Sequence, residues 1–184
     1  ALFVGHGTVR DQVMGSANRK ASPAELDSMK ALVATAMREG ALGLSTGLAY
    51  VPGTFAPTDE VVALSAVARD FGGIYTSHMR DEGGGVIASV QETIRIGEAA
   101  RIAVHISHHK VGGRRQFGQS VQTLALIQSA RARGVDVTFD VYPYTASHTG
   151  LSLIFPRWAM ADDGLNARLT DPKVRDEVKR GMLD

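Results

Sequence analysis

The sequence predicts an α/β fold, a partial (β/α)8 TIM-type barrel of about five βα units followed by the start of a lid insertion. Short apolar strands alternate with amphipathic helical stretches along most of the 184 residues. Chemically capable side chains follow the strands, at Ser45-Thr46, His78, His108-His109-Lys110 and Tyr142. A doubly wound five-stranded sheet also suits this length, whereas a complete barrel needs roughly 250 residues. The placement of the polar groups decides for the barrel. A barrel gathers such residues from many strand ends onto one face, while a doubly wound sheet concentrates them at one crevice.

Each element has its own signal. Residues 1–5 form an apolar strand ending in Gly5-His6-Gly7. They lack the charged n-region and small-residue cleavage site of a signal peptide, and read as a strand entered in mid-chain. Ser22-Pro23-Ala24-Glu25 opens a helix: Ser22 and Glu25 make a capping box, and Pro23 sits where no donor is needed. Leu26, Met29, Leu32, Val33, Ala36 and Met37 follow at helical spacing, and Gly40 stops the helix. Strand 41–45 leads into a Gly/Pro-rich loop, 46–57, and Thr58-Asp59-Glu60 starts a helix closing at Gly72-Gly73. Strand 74–77 precedes His78, and helix 86–101 precedes strand 102–107. A helix over 120–133 stops at Gly134, and strand 136–141 leads to Tyr142-Pro143-Tyr144. The rhythm changes after Ala146, and Asp171-Pro172 caps a charged helix reaching the last residue. Residues 1–146 are therefore assigned to the partial barrel, and 147–184 to a truncated insertion or lid.

Composition narrows the function classes. With 20 basic against 19 acidic residues, the net charge of +1 offers no electrostatic reason for nucleic acid or an anionic membrane as partner. No apolar run approaches the ~20 residues needed to span a bilayer. The chain has no cysteine, so it holds neither a disulfide nor a thiolate metal site, and it is compatible with a cytoplasmic location.

The histidines are the chemical signal. A single strand-end histidine most often hydrogen-bonds a neighbouring loop. His78 and His108, however, stand 30 residues apart, one unit of the fold, which brings two strand ends side by side. Neutral imidazole is a common zinc ligand, so a shared metal site becomes a candidate beside the loop-bonding reading. Strand parity leaves His108 and His109 open as the second ligand. His105 reads as a core or layer residue, His6 as a turn residue between glycines, and His148 as part of a polar loop.

Five segments occur in a telling order: Gly5-His6-Gly7-Thr8-Val9-Arg10, Gly43-Leu44-Ser45-Thr46-Gly47-Leu48-Ala49-Tyr50, Ser77-His78-Met79-Arg80-Asp81-Glu82, Ile106-Ser107-His108-His109-Lys110 and Asp140-Val141-Tyr142-Pro143-Tyr144. Together they resemble the D-aminoacylase branch of the amidohydrolase superfamily, the N-acyl-D-amino-acid deacylases. The resemblance extends to Asp171-Pro172-Lys173-Val174-Arg175. It implies that His78 and His108 are zinc ligands after consecutive barrel strands, deciding the parity question for His108. It also implies that Lys110 and Tyr142 hold the carboxylate of a small-molecule N-acyl-D-amino acid, with Tyr50 at the same mouth. Arg80 with Asp81 or Glu82 reads as a structural ion pair beside His78.

The family's His-x-His pair, its metal-binding Cys and its general-base Asp have no counterpart in residues 1–184. No catalytic base is therefore assigned within this chain, which is expected to be an incomplete piece of such an enzyme. The implied activity is hydrolysis of the linear amide of N-acyl-D-amino acids. The rivals are a cyclic-amide hydrolase of the dihydroorotase or hydantoinase kind, and a non-catalytic binding protein built on a barrel.

Overall fold

A computed structural model describes residues 2–182. Five strands, β1 (Val4–Gly5), β2 (Gly43–Gly47), β3 (Ile74–His78), β4 (Val104–Ile106) and β5 (Val137–Phe139), form one all-parallel sheet in the order β1-β2-β3-β4-β5. This order separates the two folds the sequence allowed. A doubly wound sheet reverses direction at a switch point. Here every crossover steps the same way, so right-handed connections put all helices on one face. The helices α1 (His6–Met14), α2 (Pro23–Arg38), α3 (Thr58–Asp70), α4 (Val86–Ala100) and α5 (Ser120–Ala132) pack each against the next in chain order. This is the arrangement of a barrel wall.

The two faces of the sheet differ in chemistry. Leu44, Tyr75, Val104 and Val137 stand in register and are buried beneath the helices, joining Met29, Val33, Leu64 and Ile96 in the core. Ser45, Thr76, His105 and Thr138 stand in register on the opposite face. The inner face is polar and internally bonded: Thr76 Oγ1 lies 2.8 Å from Ser107 Oγ, and His105 Nδ1 lies 2.9 Å from Thr138 Oγ1. His105 is thus a layer residue of the inner face.

Local signals explain the helix ends. The Ser22 capping box forms in both directions, with Glu25 N donating to Ser22 Oγ at 3.3 Å and Ser22 N to Glu25 Oε2 at 2.8 Å. At the other end of α2, Gly40 takes φ +98° and Ala41 N donates to Ala36 O at 3.0 Å, the six-residue closure of a Schellman turn. This turn consumes the residues before Gly43, so β2 begins two residues later than its apolar run suggests. Helix α4 closes in the same way, with Arg101 rather than glycine at φ +54°. Strands β4 and β5 are shorter than their apolar runs at both ends, and single backbone bonds continue past them, from Ser107 N to Ser77 O at 3.0 Å and from Asp140 N to Ile106 O at 3.2 Å.

Two expectations need correction. The stretch read as a turn around His6 is the start of α1, and His6 is fully buried. Its Nε2 lies 2.9 Å from Glu60 Oε1, and Arg10 Nη1 donates to Glu60 Oε2 at 2.5 Å. The two glycines masked a helix whose formation depends on these distant partners. Arg80 pairs with neither Asp81 nor Glu82. It grips Glu92 through Nε and Nη2, both at 2.9 Å, and donates to the carbonyls of Thr54 and Ala56 at 2.9 and 3.0 Å. Asp81 instead accepts from the amides of Gly83 and Gly85. A fork reaching across to α4 satisfies more of the guanidinium's donors than a sequence neighbour offers.

After β5 the described chain contains only short helical segments, including α6 (Leu165–Thr170) and α7 (Pro172–Gly181). Asp171 caps α7 by accepting from Lys173 N at 2.8 Å and Val174 N at 3.4 Å. The part of the charged helix expected over 183–184 lies outside the described residues. Asp162 N donates to Ser16 O at 3.1 Å, tying this region to the end of α1.

Candidate metal centre

The parallel register brings the ends of β3 and β4 together. His78 is the last residue of β3, and His108 lies two residues beyond β4 with φ +42°. Asp140, just past β5, holds this turn: its carboxylate accepts the His108 amide proton, and its own carbonyl accepts from His109 N at 2.7 Å. His78 Nδ1 and His108 Nε2 then face each other at 3.0 Å, with ring centroids 4.6 Å apart in an edge-on arrangement. Two nitrogens bound at about 2.0–2.1 Å to one tetrahedral zinc stand ~3.3 Å apart. The pair is therefore set close to ligand spacing.

The electrostatics agree with a neutral His78 ring. Burial pushes His78 below the ordinary histidine range, only partly opposed by the negative charge of Glu82. A neutral imidazole keeps a lone pair for a metal. His109 points elsewhere. It is buried under α5, with Nε2 3.0 Å from Thr123 Oγ1 and its ring against Phe139, and burial lowers its pKa also.

Glu82 joins the histidines. Its Oε1 lies 3.0 Å from His108 Nδ1, and ligand atoms of His78, Glu82 and His108 all fall within 4.8 Å of one another. Lys110 Nζ stands 2.7 Å from the same oxygen and 2.8 Å from His108 Nδ1. Its ammonium also sits 5.3 Å from the centre of the Tyr142 ring. Tyr50 packs on His78 with centroids 4.8 Å apart, and its hydroxyl lies 2.7 Å from Thr149 Oγ1. A cavity of 830 Å³ opens over Tyr50, His78, Glu82 and Lys110, roofed by Leu153, Ile154 and Phe155. His108 and Tyr142 line an adjoining recess that also reaches Lys110.

All five residues singled out in the sequence thus gather at one mouth. Two residues that shape its geometry, Asp140 and Glu82, were not assigned to it from the sequence. Asp140 carries the same strand-end signal as the histidines, and that criterion applied to carboxylates would have found it. Glu82 lies four residues beyond His78, and only the fold of the loop shows that it faces His108 rather than Arg80. The donor set present, two facing imidazoles with a carboxylate against one of them, suits a borderline-soft divalent ion such as zinc.

Strand-end histidines facing each other at the mouth of a parallel, sequentially ordered sheet make this part of a (β/α)8 barrel with a candidate metal centre. No protein-family model matches the chain. It is 46% identical over 151 residues, 82% of its length, to the D-aminoacylase of Alcaligenes xylosoxydans xylosoxydans, of which it covers 31%. The crystal structure of a D-aminoacylase described as defining a novel subset of amidohydrolases superposes with a TM-score of 0.76, at 44% identity over 79% of this chain and 30% of that one. The N-acyl-D-glutamate deacylase of Bordetella bronchiseptica, solved with zinc and a phosphonate mimic of the tetrahedral intermediate, gives 0.76 at 40% identity, covering 78% and 30%. Over the part it spans, the chain is homologous to the D-aminoacylases and N-acyl-D-amino-acid deacylases of the amidohydrolases. It covers about a third of the length of these relatives.

Proposed function

We propose that this chain is part of a zinc-dependent hydrolase that cleaves the linear amide bond of N-acyl-D-amino acids. The observation that carries the reading is the 3.0 Å approach of His78 Nδ1 to His108 Nε2 at adjacent strand ends. His78 and His108 would hold the ion, which supplies Lewis-acid polarisation of the scissile carbonyl and lowers the pKa of water from ~15.7 to about 7. Lys110 and Tyr142 bind the substrate's carboxylate, the ammonium by charge and the phenol by a directed hydrogen bond. Tyr50 walls the other side of His78 and limits how the substrate can lie. This grip fixes which face of the amide is presented to the centre, and so favours one configuration at the α-carbon. Residues from 147 onward act as the insertion that roofs the cavity. The proton-transfer aspartate belongs to sequence outside residues 1–184.

Among the described residues no helix is long and apolar enough to cross a membrane, which is in keeping with a small-molecule substrate met in solution. The test measures zinc content and N-acetyl-D-methionine hydrolysis on the complete gene product. His78→Ala is expected to lose bound zinc and turnover together. Lys110→Ala is expected to keep zinc while raising KM for the acid, with little effect on the same substrate capped as an amide. Zinc retained in His78→Ala, or equal losses on both substrates in Lys110→Ala, overturns the corresponding assignment.

A further inference from the structure

Glu82 presents an ambiguity whose resolution has chemical content. Its distance to the histidines admits it as a third ligand. The contacts argue otherwise. His78 faces His108 at Nε2, whereas Glu82 meets His108 at Nδ1, the other ring nitrogen. The carboxylate and His78 therefore address different nitrogens of one ring.

Building on the zinc reading above, we infer that Glu82 is the positioning residue of the metal centre: it accepts the Nδ1 proton of His108 and thereby presents Nε2, unprotonated, to the ion shared with His78. A neutral imidazole carries one proton, and the ligating nitrogen is the one without it. A carboxylate on the non-ligating N–H fixes the tautomer and ring orientation and makes the ligand more basic. Glu82 is held for this task. Its carbonyl accepts from Gly112 N at 2.6 Å, Asp81 stiffens the same turn through two amides, and Arg80 locks the loop onto α4. Its side chain is only 20% exposed, so little water competes for the carboxylate.

Lys110 gives the arrangement a second state. An ammonium can only donate, and Lys110 Nζ lies 2.8 Å from His108 Nδ1. When it donates there, the ring proton sits on Nε2 and is shared with His78 Nδ1, which closes the centre to a cation. When Nδ1–H donates to Glu82 instead, Nε2 is open. Passing from the first state to the second removes one proton from Nε2 and places one on Nδ1, with no net change. Glu82 stabilises the open state, and it supplies the counter-charge that draws the ammonium off the ring.

The test uses the complete gene product labelled with 15N-histidine and titrated with zinc. Affinity is read by chelator competition, and the protonation of the His108 ring by 15N–1H correlation. Zinc-loaded wild type is expected to carry the His108 proton on Nδ1. Glu82→Gln is expected to bind zinc ~10–100-fold more weakly, with Glu82→Asp recovering part of the loss. Lys110→Met loses the same ion pair but keeps the carboxylate, and should bind zinc at least as well as wild type. The melting temperatures without metal separate this effect from simple unfolding. A His108 proton on Nε2 in the loaded state, or equal affinities for wild type and Glu82→Gln, overturns the inference. Zinc uptake that ignores Glu82 refutes this inference alone; a wild type that takes up no zinc refutes the metal reading as well.

Discussion

Arg10 is fully buried, as is His6, and both converge on the nearly buried carboxylate of Glu60. The guanidinium also caps the carbonyl of Arg19 at 2.7 Å, so the cluster ties α1 to α3 and to the turn before α2. Burial alone would raise the Glu60 pKa, but the hydrogen bond from His6 and the charge of Arg10 outweigh it and hold the carboxyl below its ordinary value. A folded pKa below the unfolded one, about 4.3, stabilises the fold above that pH and loses its contribution as pH falls through the folded value. Glu60→Gln leaves Arg10 uncompensated and is expected to cost ~3–5 kcal/mol near neutrality. In urea unfolding the deficit should shrink as pH drops below about 4. A deficit unchanged across that range would mean that shape rather than charge is what the site requires. None of this was legible around Gly5-His6-Gly7, because the partners lie 50 and 54 residues away.

Among the elements, α4 carries a local cost that its neighbours avoid. Helix α2 reaches its Schellman turn through Gly40, whereas α4 uses Arg101 at φ +54° and ψ +49°. A side chain in that region crowds the following carbonyl. Arg101→Gly should therefore raise stability by roughly 0.5–1 kcal/mol, the relief outweighing the added freedom of the unfolded chain. Thermal melts of the two proteins decide this, and a lower Tm for the glycine variant would show that the Arg101 side chain contributes more than its backbone costs. The helix itself was plain in the sequence from its apolar spacing. Its left-handed terminus was not, since arginine gives no signal for positive φ.

At the scale of the whole molecule, the sheet has two outer strands, β1 and β5. At the end of β5, Phe139 is 36% exposed, and just beyond it Val141 is 62% exposed. Edge strands with apolar neighbours template pairing with other chains. A polypeptide of residues 1–184 alone is expected to self-associate as concentration rises, and Val141→Lys to reduce this. Sedimentation velocity across a concentration series measures both, and a strictly monomeric polypeptide would show that the edges are covered. The sequential strand order and the polar inner row also explain why the mouth is rich in chemistry. With the helices all on one face, the other face is left for Ser45, Thr76, His105 and, one step further on, His78.

The sequence by itself determined the elements and their rhythm, because period, caps and turn glycines act over a few residues. It also placed His78 and the His108-His109 pair after consecutive strands, since their spacing is about one βα unit, while the choice of His108 came from the family resemblance. Only the tertiary structure decided which faces of those rings meet, that His109 turns under α5, and that Glu82 and Lys110 share the outer edge of His108. It alone exchanged the expected Arg80 neighbour pair for Glu92 and buried His6 against Glu60. These are contacts between side chains far apart in the chain or aimed by a loop, and their directions follow from packing and register, which no local pattern encodes.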